Sequence, residues 1–319
     1  MPEYYVGWWN VENLFDHALA PDRPDYLSAA LRNELRGWTA AVRDQKISQL
    51  AHIIMQMNQA RGPDLLGVCE VENEQVMQLL VEALAPLGRN YHVAHHDTSD
   101  GRGIDIAFIF DADRFTFERD FHYAVLKRSS TRDIYQVNLR TTSGELLVVI
   151  GNHWPARMGD PAYRIVAAET LSYWVQRIHE TLGGEPPILV LGDFNDEPFD
   201  RSLTDFALST RTTTRVRYAR NHRLFNLMWP LLNGGDASYV YVNTPNMLDQ
   251  FLVSKGMLRT NAPIRALADT VSVLRFPEMV GGGAYGKPRR FSRPSKSSDY
   301  DPEGFSDHYP IAVTLQERE

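Results

Sequence analysis

The 319-residue chain has a single cysteine, Cys69. One thiol forms no internal disulfide and cannot build a multi-cysteine zinc site. Long hydrophobic runs are also missing. No apolar stretch approaches the roughly 20 residues that cross a bilayer, so no integral membrane segment is expected. The opening residues, MPEYYVGWW, lack a basic region followed by an apolar one, which is the form of a secretory signal. A cytoplasmic location is the default expectation, with a trimmed secreted form left open. Positive charge is not in excess either: the formal net charge is −7. A non-specific duplex binder carries a basic surface. Contact with nucleic acid would therefore have to come from a local patch or through a metal ion. Neither an internal repeat nor a clear linker interrupts the chain. The expectation is one domain over 1–319, monomeric by default.

What is present is a series of short apolar, β-branched runs. Strands are predicted at 4–9, 65–70, 91–95, 104–110, 134–140, 146–153, 188–193, 248–254 and 308–315. Apolar spacings of three and four predict helices through Ile47, Leu50, Ile54 and Met57, through Val76, Leu80, Ala83 and Leu87, and through Ala168, Leu171, Val175, Ile178 and Leu182. Two of the strands follow one another across Ser143-Gly144, so the class is α/β with mixed rather than purely parallel sheets.

Polar residues gather where these strands end. The first strand runs into Asn10, Glu12 and Asn13; the second ends in Glu70; others end in GNHW and GDFND, or are preceded by Leu248-Asp249 and FSDH. An amide or carboxylate buried without partners costs about 1–3 kcal/mol. Ligands of α/β sheets bind beyond strand ends, so these residues suggest one polar crevice. Taken singly, each has a plainer reading. Glu70 could cap a helix beginning near Glu74. Asp193 and Asn195 could make an Asx turn. His153 could be a satisfied core histidine, and Asp307-His308 an ordinary loop pair. Glu12, two residues beyond Asn10, shares its side if the chain stays extended; otherwise it is a strand-end acid. The biased segment 281–304, with GGG and KPRRFSRPSKSS, reads either as a solvated loop or as a basic loop of the crevice.

The motifs NVENLFD (10–16), GVCEVEN (67–73), RGIDIAFIF (102–110), GNHWPAR (151–157), GDFND (192–196), LDQFLVS (248–254) and FSDHYPI (305–311) occur in the order found in the endonuclease/exonuclease/phosphatase family. The chain resembles that DNase I-like superfamily, and its bacterial members in particular, over nearly its whole length. The resemblance implies a four-layer α/β/β/α sandwich of two packed mixed sheets. It also implies phosphoester hydrolysis with Mg²⁺ or Mn²⁺. Glu70 and Asp307 are then the metal ligands, with Asn10 and Glu12 as further candidates. Asp193 relieves the attacking water of its proton. Asn195 and Asn10 hold water or phosphate. His153 and His308 meet the developing charge, each fixed by a carboxylate: Asp249 for His308 and Asp105 for His153.

Arg102, Arg157 and Arg164 could grip phosphate bidentately or form surface ion pairs. Arg289 and Arg290 are comparable candidates. Trp8, Trp9 and Trp154 are expected to pack rather than to stack on bases. The leading expectation is a nuclease on DNA or RNA. A phosphatase or phosphodiesterase on a small phosphorylated metabolite, nucleotide or lipid headgroup is the alternative. A non-catalytic binding module would have lost motif residues that this chain keeps.

Overall fold

The computed structural model describes residues 1–282 and 285–318. Residues 283 and 284 of the biased segment lie outside this range. Fifteen strands, four long or site-bordering helices and several short turns follow the order β1 (Glu3–Leu14), α1 (Asp25–Leu31), α2 (Ala40–Ala60), β2 (Leu65–Val71), α3 (Glu74–Ala83), β3 (Tyr91–His95), β4 (Asp105–Asp111), β5 (Phe115–Tyr123), β6 (Ile134–Thr141), β7 (Leu146–His153), α4 (Pro161–Leu182), β8 (Ile188–Asp193), β9 (Ser209–Thr210), β10 (Leu224–Asn226), β11 (Tyr239–Tyr241), β12 (Thr244–Asn246), β13 (Asp249–Val253), β14 (Ile264–Val273) and β15 (Ile311–Glu317). One sheet has the order β14-β15-β1-β2-β4-β3 and the other β5-β6-β7-β8-β13-β10-β9. Parallel pairs (β1 with β2, β7 with β8) sit inside otherwise largely antiparallel sheets.

Alternation along the strands builds the layers. Tyr4, Val6 and Trp8 of β1, Leu65 and Cys69 of β2, Leu147 and Val149 of β7, and Leu189 and Leu191 of β8 fill the space between the sheets. The intervening Trp9, Val11, Leu66 and Val68 face outward, under Ile47, Leu50 and Ile54 of α2 and Val76 and Leu80 of α3. On the other side Val148, Ile150, Ile188 and Val190 lie under Ala168, Leu171 and Val175 of α4. These central strands are thus covered on both faces, which is why β2 and β8 read as continuous apolar runs. Gly67 lies where the sheets pack tightly. A Cβ there would stand 2.7 Å from Trp8 Cε3 and 2.9 Å from Leu191 Cδ1. The expected α/β/β/α sandwich is the observed fold.

Six strands escaped the sequence reading: the two- or three-residue β9, β10, β11 and β12, and the longer β5 and β14. In β5 every residue between Phe115 and Tyr123 is exposed, so no buried face imposes alternation. The other, β14, is also an edge strand, and its register slips between Leu267 and Ser272. The last strand begins at Ile311 rather than His308. The first continues to Leu14, past its expected end.

Candidate active site

The parallel pairing puts the C-terminal ends of β1, β2, β7 and β8 at one edge of the sandwich. Register does the rest: His153 pairs with Asp193, and Asp193 with Asp249, in one row across the second sheet. Asn10 and Glu70 arrive from the facing sheet. A cavity of about 460 Å³ opens between them, bordered by Asp307, His308, Asn195, Arg102, Arg157 and Tyr239 among others.

The chain reaches this edge through unusual backbone. Glu12, Asn13, Glu70 and Asn195 all have φ between +51° and +67°, a region that non-glycine residues seldom occupy. The β1–β2 register shifts between Asn10 and Leu14. That bulge overturns the alternation argument for Glu12. Asn10 faces the crevice: its Nδ2 donates to Asp193 Oδ2 at 3.1 Å and to Glu70 Oε1 at 3.4 Å. Glu12 turns elsewhere and is 1 % exposed. Its Oε1 accepts from Arg290 Nε and Nη2 at 2.7 and 2.5 Å, and its Oε2 from the backbone N–H of Phe291 and Ser292. Both oxygens are used in fastening a loop, which leaves none for a metal. The positive φ values are the physical reason that side-counting along an extended strand failed here.

Asp193 is the hub. Its Oδ1 accepts from the Asn195 N–H at 2.9 Å, and Asn195 Nδ2 lies 3.4 Å from Oδ2. The ring Nε2 atoms of His153 and His308 stand 3.8 and 3.9 Å from the same Oδ2. Burial pushes the Asp193 carboxyl up to about 6, with the charge of Asp249 adding to it. The two histidines are electrostatic opposites. Burial alone would lower His308, but Asp249 at 2.7 Å, together with Asp193 and Asp307, raises it to about 10. His153 has no such partner. Burial, reinforced by Arg132 and Arg102, holds its pKa well below the ordinary histidine value.

The pairing of Asp105 with His153 is therefore a correction. Asp105 Oδ1 accepts instead from Thr98 N and Oγ1, and its other oxygen faces His95. His153 Nδ1 is buried and has no hydrogen-bond partner among the described residues. The motif placed an acid at the start of β4; the cross-strand geometry then turned it into a different corner.

Of the arginines, Arg102 and Arg157 border the cavity. Arg102 is half exposed, with Asp100 at 3.9 Å as its one acid partner among the described residues. Arg157 donates to the Asn195 carbonyl at 2.9 Å and to Asn246 Oδ1 at 2.5 Å. Arg164 is buried against Asp196 at 2.8 Å and does not line the cavity, so its phosphate-binding role is not supported by its position. Arg289 is held by Asp301 and Glu303 away from the cavity wall. Arg290 bridges Glu12 and, at 3.6 Å, Asp307. The basic segment is thus a loop of the site's border, tied down by acids.

Several site-building residues carried no sequence signal. The tryptophans pack, as expected, and also aim polar groups: Trp8 Nε1 donates to Asp249 Oδ1, and Trp9 Nε1 to the His308 carbonyl, both at 2.9 Å. Ser306 Oγ donates to the Asn10 carbonyl at 2.6 Å, tying FSDH to β1. Tyr239 packs its ring on His308 at 4.7 Å. Lys46, on the buried face of α2, donates to the Phe305 carbonyl. Burial lowers its pKa to about 8, against the pull of Glu12, Asp307 and Glu70. A lysine inside an amphipathic helix reads as surface until its burial is known.

Glu70 and Asp307 are the residues fitted to hold a divalent cation. Both border the cavity, and Glu70 Oε1 makes long contacts, with Asn10 Nδ2 at 3.4 Å and His153 Nε2 at 3.7 Å. Burial and the charge of Glu12 push Asp307 up to about 7, and a cation beside it would favour its ionised form. Oxygen donors suit Mg²⁺ or Mn²⁺. The trio Asp193, Asp249 and His308 also has ligand atoms within 4.8 Å of one another. There His308 Nδ1 is engaged with Asp249 Oδ2 at 2.7 Å, and the raised pKa of the ring favours its cationic form, which binds no metal.

Comparison with known proteins agrees with this architecture. Solved structures of similar fold include the human Nocturnin catalytic domain with bound sulfate (17 % identity, TM-score 0.56, covering 99 % of this chain and 95 % of that one). The Bacteroides thetaiotaomicron mannosyl-6-phosphatase Bt3783 is similar over 98 % of this chain and 99 % of that one, at 16 % identity and TM-score 0.58. The D. rerio TDP2 complexed with single strand DNA product matches at 12 % identity and TM-score 0.57, over 99 % and 100 % of the two chains. No curated protein sequence matches. The model of the Endonuclease/Exonuclease/phosphatase family matches residues 5–317, and the chain belongs to that family.

Proposed function

We propose that the protein is a divalent-metal-dependent phosphodiesterase that cleaves nucleic acid, DNA or RNA. The observation that carries the reading is the placement of Asp193. Its carboxylate lies between two histidines of opposite protonation preference and is hydrogen-bonded by Asn10 beside Glu70. An ion held by Glu70 and Asp307 would polarise a phosphoryl oxygen and offset its developing charge.

The chain's own groups divide the remaining work. Asp193 accepts a proton from the attacking water, and Asn10 and Asn195 orient that water or the phosphate. His308, kept cationic by Asp249, donates toward the phosphate oxygens or the leaving oxygen. His153, neutral, presents Nε2 beside Glu70 at 3.7 Å and can hydrogen-bond a phosphate oxygen without adding charge. Arg102 and Arg157 supply cationic donors at the cavity wall. Exposed Tyr241 and Met158 on the same wall offer an apolar surface to an unpaired base.

The test is release of acid-soluble nucleotides from single-stranded and duplex DNA and from RNA, with Mg²⁺ or Mn²⁺. Wild type should exceed Glu70→Ala; equal rates would overturn the proposal. The modest cavity favours a second reading, hydrolysis of a small phosphorylated metabolite, nucleotide or lipid headgroup. Phosphate release from such compounds, with nucleic acid left intact, would establish that alternative.

A further inference from the structure

A second cluster of metal-type donors lies where β3 gives way to β4. His95 ends β3, Asp105 begins β4, and the loop between them presents Arg102 to the cavity. The His95 and Asp105 side chains are each only 3 % exposed. Thr98 occupies Asp105 Oδ1. Asp105 Oδ2 faces His95 Nε2 across 3.7 Å, and that buried nitrogen has no hydrogen-bond partner among the described residues.

The separation is informative. A hydrogen bond would close to about 2.7–3.2 Å. Two donors around a tetrahedral ion at about 2.0–2.1 Å are held roughly 3.3–3.4 Å apart. The gap is thus too wide for direct bonding and within a few tenths of an ångström of a shared ion. Asp97, exposed, completes the group: one ligand atom from each of His95, Asp97 and Asp105 lies within 4.8 Å of the others. Beside it stands a second trio, His96, His122 and Asp133, in which the two rings stack at 3.7 Å. Stacked rings point their nitrogens along parallel planes, so they do not converge on one ion without turning. His95 and Asp105 already face one another, and exposed Asp97, whose Oδ1 lies 3.9 Å from the other ring nitrogen, Nδ1, is free to swing its side chain toward them.

We propose that His95, Asp97 and Asp105 form a second metal seat, separate from Glu70 and Asp307, for a divalent transition ion such as Zn²⁺. An imidazole with two carboxylates favours such ions over Mg²⁺. The ion would join the end of β3 to the start of β4 and, through Thr98 on Asp105, fasten the loop that carries Arg102. The inference does not depend on the phosphodiesterase reading.

The experiment uses the full-length untagged chain, stripped with chelator and then held in excess Mg²⁺ to fill the oxygen site. Zn²⁺ is titrated by calorimetry, and Co²⁺ by its visible absorption. Wild type, Glu70→Gln and His122→Asn should each bind one equivalent. His95→Asn should bind at least about tenfold more weakly, with its far-ultraviolet circular dichroism and metal-free melting unchanged. Asp97 is exposed, so Asp97→Asn provides a second variant with little risk to folding, and it too should weaken binding. Absence of Zn²⁺ binding by wild type would overturn the proposal. So would unchanged affinity in both the His95 and Asp97 variants, or loss of the equivalent in Glu70→Gln or in His122→Asn alone.

Discussion

His308 Nδ1 lies 2.7 Å from Asp249 Oδ2, while Asp249 Oδ1 accepts from Trp8 Nε1 at 2.9 Å. The core tryptophan orients the carboxylate, and the carboxylate keeps the imidazole protonated. Asp249→Asn should remove the cationic form and lower kcat by roughly 10²–10⁴-fold, with a smaller effect on KM. The same link predicts a stability profile. His308 rises from 6.5 to about 10 on folding. A raised pKa stabilises the fold fully below pH 6.5, and that contribution fades as pH climbs toward 10. Metal-free wild type should therefore lose melting temperature between pH 6.5 and 10 more steeply than Asp249→Asn. Parallel profiles would refute the assignment.

Asp193 sets the opposite limb of the rate profile. A carboxyl raised to about 6 is protonated below that pH and cannot accept the proton of water. Activity should fall as pH drops through about 6, and Asp193→Asn should be nearly inactive with no acid limb left. Steady-state rates from pH 4.5 to 8 in an inert buffer series test this. An acid limb that survives unchanged in a partly active Asp193→Asn would move the role elsewhere.

These groups were legible in the sequence because strand ends recur as short apolar runs that stop on a polar residue. Asn10, Glu70, His153, Asp193 and Asn195 follow such runs, Asp249, Asp307 and His308 precede them, and all eight converge on one cavity edge. What failed was direction. Glu12 and Asp105 sit in the expected stretches but face away from the crevice. A left-handed residue sends one aside, and a loop threonine and a histidine claim the other. Side-chain direction follows φ and tertiary partners, and neither is written in spacing. Lys46, Tyr239 and Ser306 were missed for the same reason. Edge strands β5 and β14 were missed because exposure erases their period.

Glu12 and Arg290 give the sharpest test of that correction. Glu12→Gln keeps the shape but removes the charge that Arg290 and two backbone N–H groups face. Leaving such donors poorly matched costs about 1–3 kcal/mol. Thermal unfolding should shift down accordingly, while Mg²⁺ or Mn²⁺ affinity by calorimetry stays close to wild type. Lost metal affinity with unchanged melting would restore Glu12 as a ligand.

Arg102 and Arg157 face the same cavity with different freedom, so their losses should separate in the kinetics. Arg102 has no close acid: Asp100 lies 3.9 Å away, and its side chain is 48 % exposed. On the proposed reading it would hold substrate equally in the ground and transition states. Arg102→Ala should raise KM several-fold and leave kcat close to wild type. Arg157 instead braces the carbonyl of Asn195 and reaches Asn246. Removing it loosens the strained turn that fixes Asn195 against Asp193, so Arg157→Ala should lower kcat as well as raise KM. Arg157→Lys can restore one hydrogen bond but not the fork, and should recover the two parameters only in part. Identical KM and kcat effects for the two alanine variants would show that Arg157 acts as a simple phosphate contact rather than as a brace.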